Sequence, residues 1–157
     1  MEKIGNDSLI LPDRSDSTLI QLSDNATFRW LHDGQAYEVA IRSARREDID
    51  ASMNANFSIL DQWDTTQPLY SVQDLSDPNI NITPYFRSRL GELETIIKTS
   101  NIKGASIIIL NNGFAGQLVK HLLRFFINRA DGTIEQIWFT DAQKAYEELE
   151  KRIASNG

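Results

Sequence analysis

A chain of 157 residues, 41% hydrophobic and 24% charged, suits one globular domain with a real core. Its net charge of −6 argues against a nucleic-acid surface, which needs clustered Lys and Arg. The absence of cysteine excludes disulfides, thiolate zinc sites, iron–sulfur clusters and cysteine nucleophiles.

Residues 1–17 are polar around one short patch, Leu9, Ile10 and Leu11, ended by Pro12. They read as a flexible tail before a single domain over 18–157. No apolar run after Met1 resembles a secretion signal and none is long enough for a bilayer, so a cytoplasmic protein is expected. Strand character follows at 18–22, 27–31 and 36–41, with His32-Asp33-Gly34 as a hairpin signal between the last two. Tyr37, Val39 and Ile41 share one face of the third segment, while Glu38 and Arg42 take the other. That alternation predicts an antiparallel or edge strand with one wet face.

Ser43 is placed to cap the next helix, with Glu47 and Asp48 in its first turns. Ile49, Met53, Phe57 and Leu60 form its apolar stripe, and it should end near Trp63. Residues 69–75 read as a central strand, and Asp77-Pro78-Asn79 as a turn. Thr83-Pro84 is a helix start, a hydroxyl cap followed by proline where no amide hydrogen is missed. Phe86, Leu90, Leu93 and Ile97 make that helix's stripe.

Ala105 to Leu110 is almost wholly apolar and β-branched, as in a strand covered on both faces. Asn111, Asn112 and Gly113 break it with residues that tolerate turns and positive φ. A helix then places Phe114, Leu118, Val119, Leu122, Leu123 and Phe126 on an apolar side, opposite Gln117, Lys120, His121 and Arg124. After the turn Ala130-Asp131-Gly132, residues 133–139 form a strand. Thr140 with Gln143 reads as a capping box for a last helix carrying Ala142, Ala145, Tyr146, Leu149 and Ile153. Glu147 and Lys151 form an i,i+4 pair on its exposed side. The order predicts an α/β fold: a single mixed sheet of four to six strands, with a parallel core and an N-terminal hairpin, packed with four helices.

A hairpin followed by βα units over residues 27–153 resembles the STAS domain, the fold of anti-sigma-factor antagonists and sulfate-transporter tails. Phe139, Thr140 and Ala145 make the chain look closest to bacterial STAS-like proteins of unassigned function. Asp74, Leu75 and Ser76 match the family's Asp-Leu-Ser/Thr strand end. The family's following Asp-Ser-Ser-Gly-Leu, which carries its phosphorylated serine, falls on Ile82, Thr83, Pro84, Tyr85 and Phe86. Proline cannot accept phosphate, and Thr83 reads as a helix cap. The resemblance implies a non-enzymatic regulatory domain that binds a protein partner, a second copy of itself included. The contact surface it implies runs from Asp74 to Arg87, taking in Ser76, Thr83 and Tyr85, with Lys120 on the basic helix face beside it.

The residues themselves offer a further possibility. Asn112, Gly113 and Gly116 lie at a strand-to-helix junction where free amides can bind an anion, so a small-molecule or anion-binding domain using the 111–116 turn is the first alternative. The spacing is neither that of a P-loop nor Gly-x-Gly-x-x-Gly, so a structural turn is the simpler reading. Asp74 with Asp77 suggests an acidic cluster, yet a loop-stabilising acceptor is the plainer role. His32 and His121 lack zinc-helix spacing, and no Gly-x-Ser-x-Gly elbow occurs. The expectation is therefore no enzyme, metal, cofactor or nucleic acid. Association of the 114–129 helix with a membrane surface is a second alternative.

Overall fold

The computed structural model describes residues 10–127 and 134–156, with only the backbone for 124–127. The turn expected at 130–132, Thr133, and the side chains of Arg124, Phe125, Phe126 and Arg129 lie outside that description. Six strands form one sheet in strict chain order: β1 Ile20–Ser23, β2 Ala26–Leu31, β3 Ala36–Ile41, β4 Leu69–Leu75, β5 Gly104–Leu110 and β6 Ile134–Phe139. β1, β2 and β3 pair antiparallel, and β3 through β6 pair parallel. The helices are α1 Arg46–Gln62, α2 Pro84–Ser100, α3 Phe114–Ile127 and α4 Ala142–Asn156. This is the mixed sheet with a parallel core and four helices that the element order implies.

Sequential parallel strands force the layering. Each crossover steps to the next strand in the same direction, so crossovers of one hand lay α1, α2 and α3 on one face. There Ile49 and Met53 of α1, Phe86 and Leu90 of α2, and Val119 and Leu123 of α3 pack with Ile41, Ile108 and Leu110. Among the described helices only α4, which follows β6, covers the other face. Its Ala145 and Leu149 pack on Tyr70, Val72, Ala105, Ile107 and Ile109.

β3 departs from its expected half-wet character. It lies between β2 and β4 and is buried along its length. Glu38 is only 6% exposed, because Tyr146 of α4 donates a hydrogen bond to it and Arg29 Nε pairs with its other oxygen at 2.6 Å. Burial pushes the Glu38 carboxyl above its usual range, with Arg29 opposing the shift. Alternating polarity here marks an internal ion pair.

Ser43 does not cap α1. The N-cap position is Arg45, without a side-chain bond, and the Ser43 hydroxyl donates instead to Asp48 at 2.5 Å. Asp48 also accepts from the Ser23 hydroxyl at 2.6 Å and from the Asn25 backbone and side-chain amides at 3.0 and 3.1 Å. It is wholly buried, and it fastens the β1–β2 hairpin to the first turn of α1. At α4 the cap is Asp141, which accepts from Gln143 and Lys144 amides, and not Thr140. Lys151 pairs with Glu148, while Glu147 accepts from Gln143.

Residues 10–16, expected within a flexible tail, are tied to the domain. Arg14 donates twice to the Gly34 carbonyl, at 2.9 and 2.7 Å, and stacks 4.4 Å from the Trp63 ring centre. Trp30 Nε1 donates to the Pro12 carbonyl at 2.8 Å. A cation over an aromatic face and a bidentate donor hold a short strap without a strand pairing.

Asp48 sets an acid limit on stability. Burial would raise its carboxyl, but hydrogen bonds from Ser23, Ser43 and Asn25 outweigh that and lower it from 3.8 to about 2. A depressed folded-state value stabilises the fold above the unfolded value, and the gain is lost as pH falls from about 4 to about 2. Asp48→Asn should lose on the order of 2–3 kcal/mol in urea unfolding at neutral pH and flatten the stability slope between pH 4 and 2. An unchanged urea midpoint would show that this carboxylate does not hold the hairpin.

Candidate functional site

The parallel strands β3 to β6 deliver their C-terminal ends to one edge, where open α/β sheets expose backbone groups and side chains to ligands or partners. β4 ends in Asp74 and Leu75, followed by Ser76. Asp74 Oδ1 accepts from the Ser76 amide at 3.0 Å and from the Ser76 hydroxyl at 2.6 Å. Both residues are thereby engaged in closing their own turn.

The turn after β5 ties onto that loop. Asn111 Nδ2 donates to the Ser76 carbonyl at 3.2 Å, and Asn111 Oδ1 accepts from the Gly113 amide at 2.6 Å. None of residues 111–113 adopts positive φ; the Asn111 side chain shapes the turn instead. Gly116 is buried on α3, and a Cβ there would lie 1.7 Å from the Asn111 carbonyl oxygen. Its role is close packing of the helix onto the strand end. Asn112 and Gly113 remain exposed.

The start of α2 is engaged differently. Thr83 accepts from the Phe86 amide at 3.1 Å as the N-cap, ahead of Pro84. Tyr85 turns toward α1, where its hydroxyl donates to Asp50 and the Arg46 guanidinium lies 4.2 Å over its ring. The hydrogen bond to Asp50 raises the Tyr85 hydroxyl above its ordinary value. Arg87 is exposed. Lys120 is half-buried and lines a surface hollow of about 240 Å³ with Trp138, Thr140, Asp141 and Lys144. The structure thus joins Asp74, Ser76, Gly113 and Gly116 through Asn111, while Thr83 and Tyr85 serve the helix layer.

Two features escape a reading by periodicity. First, Phe114 and Leu118, expected in the core stripe of α3, are 85% and 48% exposed. Gly116, Val119 and Leu123 form the inward face instead. Leu118 lies about 100° round the helix from Val119, and Phe114 lies one turn before Leu118. Second, Tyr37, Ser71, Ser106 and Gln136 stand in one register row across β3, β4, β5 and β6, beneath α1–α3. A polar residue at one position in each strand was the available signal, but the row exists only once register is set.

Among the described residues, no three His, Asp or Glu side chains gather as a metal-holding group. Comparison with known proteins returns no match to any family model, curated protein or solved structure.

The turn geometry makes a direct stability prediction. Gly116→Ala should destabilise the domain by about 1–3 kcal/mol in chemical denaturation, because backbone must move to admit the methyl group. Asn112→Ala, on an exposed side chain, should stay within about 0.5 kcal/mol of the parent. Equal stability of both variants would refute the close approach of α3 to Asn111.

Proposed function

We propose that this chain is a non-enzymatic STAS-like domain, regulatory in a bacterial cytoplasm, that works by binding a protein partner. The observation that carries the proposal is Phe114, 85% exposed, with Leu118, 48% exposed, one helical turn further on. Large apolar side chains at i and i+4 on the water-facing side of an ordered helix are the anchor spacing by which helices dock into apolar grooves. Lys120, two residues on, adds positive charge in a chain of net charge −6. The complementary partner surface is an apolar groove with an acidic rim.

The STAS-like part of this reading rests on the hairpin-first order, on Asp74-Leu75-Ser76 at a parallel strand end, and on the helix that begins at Pro84. The phosphorylation switch of that family has no acceptor here at Pro84, so partner choice would depend on the surface itself. Anion binding at 111–116 has less support, because the Gly113 amide is already satisfied by Asn111. No helix among the described residues is long and apolar enough to cross a membrane.

Phe114→Ser with Leu118→Ser should leave the thermal midpoint within a few degrees and weaken association by roughly thirtyfold or more, as loss of an apolar anchor pair does. The measurement is affinity capture from bacterial cytosol with parent and double variant, followed by titration calorimetry with the recovered protein. Sedimentation of both forms reports self-association. A partner bound equally well by the double variant would refute this surface. Capture of anionic vesicles in place of protein would favour the membrane-surface alternative.

A further inference from the structure

The helix layer does not close completely on the sheet. Between α1, α2, α3 and the strand faces lies a cavity of about 90 Å³, and among the described residues no charged side chain lines it. Its walls are Leu90, Leu93 and Ile97 of α2 with Leu123 of α3, and its floor includes Ser71, Ser106 and Gln136.

That floor is a connected polar network with one open end. Tyr37 donates to Asn56 Oδ1 at 2.5 Å, and Gln73 Nε2 donates to the same oxygen at 2.9 Å and to Ser71 Oγ at 3.2 Å. Ser71 Oγ donates to Ser106 Oγ at 3.2 Å. The next residue in the register row is Gln136, whose Oε1 is sealed from solvent and accepts no hydrogen bond among the described residues. A buried carbonyl oxygen without a donor costs about 1–3 kcal/mol, so the floor favours an occupant that brings one.

Water alone answers only part of this space. A buried water needs two to four polar partners, and about 90 Å³ corresponds to roughly three waters at liquid density. One water can sit on Ser106 and Gln136. Others against Leu90, Leu93, Ile97 and Leu123 would face hydrocarbon. A charged ligand would lose its hydration with no counter-charge among the described lining residues.

We infer that this cavity is a binding site for a small neutral amphiphile, a short aliphatic body carrying one hydroxyl, with the hydroxyl on Gln136 and Ser106 and the hydrocarbon among Leu90, Leu93, Ile97 and Leu123. A hydroxyl suits the site because it both donates and accepts, and so satisfies the Gln136 amide in either orientation. The site lies beneath the helices and is independent of the exposed Phe114–Leu118 surface.

The test uses 1-butanol and n-pentane, which exchange a hydroxyl for a methyl group at nearly constant shape. Methyl NMR of the full chain should show saturable shifts at Leu90, Leu93, Ile97 and Leu123 with 1-butanol. Gln136→Leu, close in volume, should weaken 1-butanol about tenfold and leave n-pentane as tight or tighter. Ser106→Ala serves as a second variant with the smaller effect. Non-saturable or absent shifts, ordered water only in the cavity, or equal loss of both probes in Gln136→Leu would each overturn the inference.

Discussion

Four parallel strands laid side by side in chain order constrain almost everything else in this protein. A chain that steps always in one direction, with crossovers of one hand, returns every connecting helix to the same face. Three helices therefore crowd one side, and the other is left to whatever follows β6. That is why β3, β4 and β5 are covered on both faces, and why the helix after β6 must bring Ala145 and Leu149 to the second core.

Polar groups inside this layered core set register as much as they add stability. Asp48 has its oxygens occupied by Ser23, Asn25 and Ser43, so the hairpin can dock on α1 in one position only. Glu38 plays a comparable part beneath α4, held between Arg29 and Tyr146. Shifting β3 by one residue would bury an unpaired charge on the helix face, which is far costlier than losing a contact. The row Tyr37, Ser71, Ser106 and Gln136 belongs to the same logic, except that its last member is left without a donor.

The strand-end edge is organised by a different economy of contacts. Asn111 uses both ends of its amide, one for the β4 loop and one for its own turn, so the residues around it are engaged before any ligand arrives. The large apolar side chains left outward here are Phe114 and Leu118, on a helix whose inward face is made by a glycine and two aliphatic residues. A narrow inward face lets α3 sit close to β5, and the closeness turns its second apolar stripe to water.

Read from residues alone, much of the fold was legible. Unbroken apolar runs such as Ile107–Leu110, the Thr83-Pro84 start and the stripe from Phe86 to Ile97 report strands and helices because their periodicities differ, and their alternation implies a parallel core. Caps were less legible, since Ser43 turns its hydroxyl to the Asp48 carboxylate and Asp141 takes the α4 amides expected for Thr140, and only geometry decides such choices. What the amino-acid order determined was which segments are helix or strand and that they share one mixed sheet. What only the tertiary structure decided was which face each side chain meets, as with buried Glu38, exposed Phe114 and the unanswered Gln136 oxygen, because facing depends on register and crossover direction, and both arise between segments far apart in the chain.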